Sequence, residues 1–311
     1  TKTKYLTNNF RSLASWDFES MKVQNILRLA FLEEEFQYFA YIDRPKSSGG
    51  TGKSYIAKND FNYLFNDKIA LNLIAEYQLN KAEGYQSGIK DLSRNAGSFA
   101  GLLRWIPNQK FYFEVGAKKD FVEKIESPFI YSFSGKFKAT DWYSAVFNFS
   151  KNFRYPSFND LYWKPGGNLN LKSEVSHQAE LGNNFAHKGF KLNLTPYYMR
   201  IENMIRWLPT SVGIASPINT SKVESYGLES QLDFEKTFGK NKAKISAGYV
   251  FTHSKDLETN QFLTYVPKYK IFGNASYGYD FAEIFLQGMY NGLTFTTSDE
   301  KLSSAIQPYF V

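Results

Sequence analysis

The polarity pattern of this 311-residue chain predicts an all-β fold, an antiparallel transmembrane β-barrel. Three observations predict it: strict period-two alternation, aromatic-rich segments, and connections that switch between short and long. A closed sheet in a bilayer turns apolar side chains to lipid and polar ones to a wet lumen, and leaves no strand edge unpaired. From Ile69 to Asn80 one face carries Ile69, Leu71, Leu73, Ala75, Tyr77 and Leu79, and the other Asn72, Glu76, Gln78 and Asn80. Ile74 is the misfit. From Phe129 to Ala139 the apolar face reads Phe129, Tyr131, Phe133, Gly135, Phe137 and Ala139, against Ser132, Ser134, Lys136 and Lys138. After Asp141 come Tyr143, Ala145, Phe147 and Phe149 against Ser144, Asn148, Ser150 and Asn152. Ile245, Ala247, Tyr249 and Phe251 alternate with Lys244, Ser246 and Thr252. A helix would require apolar residues three and four apart. Repetition of the pattern along the chain gives about 15–16 strands, a number suited to a barrel rather than a soluble sheet.

Composition agrees. Hydrophobic residues make up 43%, yet no run reaches the roughly 18 consecutive apolar residues of a spanning helix. Mean hydropathy is negative, as expected when hydrophobicity occupies every second position. Aromatics reach 18%, with 29 Phe and 22 Tyr, enough for girdles at the lipid–water boundary. Cysteine is absent, which excludes a thiol nucleophile, a zinc–thiolate site and disulfides. His177, His187 and His253 show no metal-ligand spacing, and no nucleophile–base–orienter set can be assembled. The chain is therefore expected to be neither an enzyme nor a metal or cofactor protein. Its net charge of +7 forms no basic stripe, so nucleic acid is not an expected partner.

The connections predict topology. Short turns are expected near Glu33-Glu34, Asn66-Asp67, Pro107 to Gln109, Thr140-Asp141, His187 to Gly189, Phe238 to Asn241 and Tyr279-Asp280. Between them fall longer stretches: Arg44 to Ser54, Asn80 to Arg94, Lys119 to Pro128, Arg154 to Ser173, Leu208 to Ser221, Ser254 to Gln261 and Thr294 to Ser304. Short turns at one rim and long loops at the other are the layout of outer-membrane barrels. Ser47 to Ser54 ends like a phosphate-binding loop, but Ser47 stands where that motif requires Gly and an alternating segment follows. A flexible outer loop is expected there.

One stretch is more specific. Phe153-Arg154-Tyr155-Pro156-Ser157-Phe158-Asn159-Asp160-Leu161-Tyr162 leads through Gly166, Gly167 and Asn168 to Leu171 and Glu174, then to Glu180-Leu181-Gly182. Tyr197 to Ile205 contains Asn203-Met204-Ile205, and Asn219 to Glu229 carries Asn219, Lys222, Gly227 and Glu229. Val266-Pro267-Lys268-Tyr269 supplies a proline before a strand. From about Phe147 to Tyr290 these motifs resemble the barrel signature of TonB-dependent outer-membrane receptors, and look closer to the cobalamin and siderophore receptors than to the glycan importers. The resemblance implies a barrel of about 22 strands. Residues 1–311 would be the C-terminal part of that barrel, with the plug domain, TonB box and closing strand outside this chain. It implies import of a scarce metal chelate (siderophore-iron, cobalamin or haem) through a plugged barrel in the outer membrane of a Gram-negative bacterium. The implied partners are that chelate, the TonB complex reached through the plug, and outer-membrane lipid or lipopolysaccharide.

Ligand recognition is expected on the long loops. Arg154, Tyr155, Tyr162, Trp163 and Asn168 combine a cation, flat rings and an amide suited to a planar, oxygen-rich chelate. The same residues would serve equally as structural parts of a loop shared by receptors of different ligands. Trp207 and His253 lie near other long loops. Glu76, Glu114, Lys136, Lys138, Glu229 and Asp233 occupy polar faces, where they meet a plug or lumen water. Two other readings stay open: a passive porin of about sixteen strands, and a protease or lipase barrel served by His253.

Overall fold

The computed structural model describes residues 2–210 and 213–311. Fifteen strands form one antiparallel sheet in which each pairs with its neighbours in chain order. They are β1 (Lys4–Glu19), β2 (Val23–Phe39), β3 (Ser48–Asn66), β4 (Ile69–Tyr85), β5 (Leu92–Asn108), β6 (Phe111–Val122), β7 (Phe129–Lys138) and β8 (Tyr143–Arg154). After a short helix, α1 (Phe158–Tyr162), come β9 (Glu174–His187), β10 (Phe190–Pro209), β11 (Ala215–Phe238), β12 (Asn241–Asp256), β13 (Tyr269–Tyr279), β14 (Ala282–Asn291) and β15 (Tyr309–Phe310). No described helix is long and apolar enough to cross a membrane.

The register fixes which residues share a face, because directly opposed residues of an antiparallel pair point the same way. One row runs Phe133–Phe149–Ala179–Tyr198–Tyr226–His253 across β7 to β12. The row of the opposite face runs Ser134–Asn148–Glu180–Tyr197–Gly227–Thr252. On the aromatic face large side chains stand open, with Phe133 41% exposed, Leu181 48% and Ile245 47%. Bare apolar area on this scale needs a cover, and the bilayer is the one the alternation calls for. Ile74 lies on the polar face between Asp60 of β3 and Ala100 of β5.

Two of the expected connections are corrected. Glu33-Glu34 is no turn: both residues sit in mid-β2, where Glu33 pairs with Lys53 at 3.0 Å and Glu34 with Arg11 at 2.9 Å. Cross-strand ion pairs let a run of acids remain in a ladder. Residues 48–54 are strand, not flexible loop. Gly49 permits this, since a Cβ there would run into the Phe36 carbonyl oxygen of β2. Several strands likewise outrun the expected loop limits: β4 continues to Tyr85, and β11 begins at Ala215. Of the expected loop Leu208 to Ser221, Ser211 and Val212 lie outside the described residues. The remaining short turns stand where expected, joined by one more at residues 20–22 between β1 and β2. Every connection at that rim is short; the connections 40–47, 86–91, 123–128, 155–173, 257–268 and 292–308 share the other rim, where β10 also ends at Pro209 and β11 begins at Ala215.

Glycines allow aromatic rings to lie flat across the ladder. Tyr197 is paired directly with Gly227, where an added Cβ would collide with the Phe251 carbonyl oxygen and meet the tyrosine hydroxyl at 2.8 Å. The Tyr197 hydroxyl then reaches Thr252 of β12 at 3.1 Å. Gly227→Ala is expected to cost about 1–3 kcal/mol by overpacking. The barrel's urea midpoint, followed by heat-modifiable migration, checks it; an unshifted midpoint would contradict the packing described.

Candidate ligand-binding site

The signature stretch forms the connection 155–173, which returns over the polar face rather than standing out from the rim. Its first turn is specified locally. Ser157 caps α1: its hydroxyl accepts the Asp160 backbone N–H at 3.1 Å, and the Asp160 carboxylate accepts the Ser157 backbone N–H at 2.9 Å. This reciprocal box satisfies two donors that a helix start leaves free. Asp160 also accepts the Trp207 indole N–H at 2.9 Å and faces Arg154 at 3.5 Å. Burial pushes the Asp160 carboxyl up, but the bonds from Ser157 and Trp207 and the Arg154 charge outweigh it and hold the group below the usual carboxylate range.

The rest of the loop is stitched to its neighbours. Arg154 reaches Glu174 at 3.4 Å and the Ile205 carbonyl at 3.4 Å, while Glu174 accepts the Ile205 N–H at 3.0 Å. Asn168 donates to the Pro217 carbonyl at 3.0 Å, and the Lys172 N–H donates to Asn219 at 2.8 Å. Ser216 donates to the Gly166 carbonyl at 2.7 Å, and Ser173 to that of Glu126 at 3.1 Å. Trp163 stands edge-on to Trp207 with centroids 5.6 Å apart. Tyr155 lies under the Arg94 guanidinium at 5.2 Å.

The structure therefore brings together Arg154, Tyr155, Tyr162, Trp163, Asn168 and Trp207, but most of them face inward to hold the loop. Tyr162 keeps an exposed ring, and Asn159, Lys164, Asn170 and Lys172 of the same connection are exposed as well. Sequence reasoning passed over those four, since nothing in their spacing separates them from ordinary loop polarity. His253 does not join the group. It is on the aromatic face, stacked on Tyr226 at 4.7 Å and edge-on to Phe262 at 5.1 Å.

The polar-face residues fall as the register requires. Glu76 is paired with Lys58 and Ser98, Glu114 with Ser134, Lys136 with Val146, Lys138 with Ser144, Glu229 with Val250 and Asp233 with Ser246. All six lie on one side of the sheet. Side-chain ladders run among them: Asn72 donates to Asp60 at 2.5 Å and to Asn62 at 2.9 Å, Tyr112 to Glu114 at 2.8 Å, and Ser246 to Asp233 at 2.7 Å. Lys138 is an exception, turned to Asp141 at 2.7 Å at the short-turn rim. Beneath the loop, Glu76, Gln78, Ser98, Lys118, Asp120 and Asn152 line a cleft roofed by Arg154, Tyr155 and Ser157. Among the described residues no cluster has the composition of a metal site.

Comparison with known proteins decides the family. The profile described as TonB dependent receptor-like, beta-barrel, matches residues 4–311. The chain belongs to the TonB-dependent receptor β-barrel family. A 97-residue stretch of this receptor barrel is 35% identical to the vitamin B12 transporter BtuB of Vibrio vulnificus, covering 31% of the chain and 16% of the transporter. The BtuB of Photobacterium profundum is 35% identical over 86 residues, 26% of the chain and 14% of that protein. The ferric enterobactin receptor PfeA of Pseudomonas aeruginosa superposes with a TM-score of 0.81 at 15% identity, over 98% of this chain and 53% of that one. The siderophore receptor PirA of the same organism gives a TM-score of 0.73 at 13% identity, over 99% of this chain and 63% of that one. The receptor barrel thus spans little more than half the length of these solved structures, and they show its fold.

Proposed function

We propose that this barrel is part of an outer-membrane importer of a scarce metal chelate, siderophore-iron, cobalamin or haem, driven through TonB. Membership of the receptor family carries the reading, and the inward-folded 155–173 connection supports it. Local identity to vitamin B12 transporters and likeness to siderophore receptors both point to bulky, scarce metal complexes as cargo. In this reading the residues flanking the barrel segment supply the plug and the contact with TonB, and residues 1–311 are the C-terminal part of the barrel. The aromatic face lies in the lipid of the outer membrane of a Gram-negative bacterium, and the long-loop rim faces outward. Glu76, Glu114, Glu229 and Asp233 meet the plug or lumen water. Cargo touches the exposed Tyr162, with Asn159, Lys164 and Asn170 around it, while Arg154, Tyr155, Trp163, Asn168 and Trp207 hold the loop. The protein transports and does not catalyse. A passive porin fits less well, because its lumen would need no receptor signature.

The test is uptake by receptor-deficient cells expressing the full-length receptor that contains this barrel, with cyanocobalamin and ferric enterobactin as probes. Saturable accumulation of one probe, abolished by loss of TonB, is expected. Uptake of neither, or entry indifferent to TonB, would overturn the proposal.

A further inference from the structure

We propose that Arg94 is a positioning residue: it seats the 155–173 connection across the barrel mouth and so sets where that loop's exposed face meets cargo. The inference rests on the importer reading for its consequence, but not for its geometry. Arg94 stands near the start of β5, in the polar-face row Arg11–Leu32–Ser54–Asn80–Arg94. Two strands, β6 and β7, separate β5 from β8, so its contact with the loop spans the face rather than following the ladder. Its Nη1 donates to the Pro156 carbonyl at 2.9 Å, and its guanidinium lies 5.2 Å from the Tyr155 ring and 4.6 Å from the Phe158 ring. Pro156 itself is fully buried.

Two features mark this contact as more than packing. Arg94 is only 7% exposed, yet among the described residues no carboxylate lies within ion-pair distance of it. A buried charge without a carboxylate partner is costly to remove from water. What the guanidinium supplies is geometry: a planar cation meets two ring faces and one carbonyl at once, which neither an ammonium nor an aliphatic side chain reproduces. The loop is also anchored unevenly. Toward β9–β11 it is tied by Asp160–Trp207, Asn168–Pro217 and Lys172–Asn219. Toward β4–β5 its side-chain hydrogen bond is that of Arg94, joined by one backbone bond from the Lys164 N–H to the Ser87 carbonyl at 2.7 Å. Release of Arg94 would free the end of the loop that roofs the polar cleft and precedes Asn159, Tyr162 and Lys164.

These 311 residues contain no cysteine, so a single one introduced here labels one site of the barrel once any cysteine elsewhere in the full-length receptor is replaced by serine. A nitroxide on Asn159→Cys, an exposed position beside Phe158 at the end of the loop that Arg94 holds, should give a broad spectrum in the native background. Arg94→Ala should narrow it, and Arg94→Lys should also narrow it despite keeping the charge, with heat-modifiable migration of the barrel unchanged. If Arg94→Ala fails to fold, Tyr155→Leu removes one ring from the loop side and should narrow the spectrum in the same direction. For whichever probe, cyanocobalamin or ferric enterobactin, the native receptor accepts, Arg94→Ala should raise the half-saturation concentration about tenfold with maximal uptake retained. An unchanged spectrum in folded Arg94 variants would overturn the proposal. If the native receptor takes up neither probe, the importer reading fails, while the spectrum still decides whether Arg94 positions the loop.

Discussion

Asp160→Ala is expected to undock the 155–173 connection while leaving the pairing of the strands intact. The substitution removes a capping box, worth about 1 kcal/mol, and a charged acceptor for the Trp207 indole and the Ser157 amide, worth about 1.5–3 kcal/mol. It also leaves Arg154 with Glu174 as its remaining carboxylate partner. Together the docked loop should lose about 2–4 kcal/mol. Amide exchange over residues 157–168 should accelerate accordingly, without change in the protection of β9 to β11. The effect has a pH signature. The Asp160 carboxyl is held below its ordinary value by its partners, so its contribution is full above the unfolded-state value, about pH 4, and disappears as pH falls through the folded value. Acidification should therefore lower the protection of the loop amides relative to their intrinsic exchange rate at each pH in the native receptor, and Asp160→Ala should remove that acid-dependent step. Equal acid sensitivity in both proteins would contradict the network.

Leu181→Arg should cost about 2–4 kcal/mol, the penalty for a cation on the lipid face near the bilayer midplane. Leu181 lies opposite Phe147 in the middle of β9, on the aromatic face. Its neighbour Glu180 points to the other side, opposite Asn148. Glu180→Gln should change folding stability little, so the pair tests which face meets hydrocarbon. Unfolding from lipid vesicles by urea, read by tryptophan fluorescence, gives both numbers. A reversed order of effects would place lipid on the wrong side of the sheet.

Much of the fold was legible because the side-chain period of a strand is read directly from sequence. The faces assigned to residues 69–80, 129–139 and 143–152 are those the register gives. Strand ends were less legible. Gly, Lys and Ser at residues 48–54 have loop composition, yet close approach at Gly49 and the Lys53–Glu33 pair keep them in the ladder. Glu33-Glu34 misled for a related reason: the compensating charges lie on adjacent strands, and sequence order hides them. At the candidate site, the cation, rings and amide expected from the sequence do meet in one loop, but residue type does not say whether a group faces cargo or clasps its own chain. Arg94 carried no signal at all. Its partner is 62 positions away in sequence and belongs to no motif with it.

The unequal rims have a consequence for how such a protein changes over generations. Turns at residues 67–68, 109–110 and 239–240 fix the register of the strands they join, so insertions there would disturb closure, whereas the opposite rim can lengthen or shorten its segments freely. Differences in length between relatives should concentrate on that side. The 155–173 segment is the exception, because its ties to several neighbours make it one piece with them, and a graft there would have to carry the surrounding segments along.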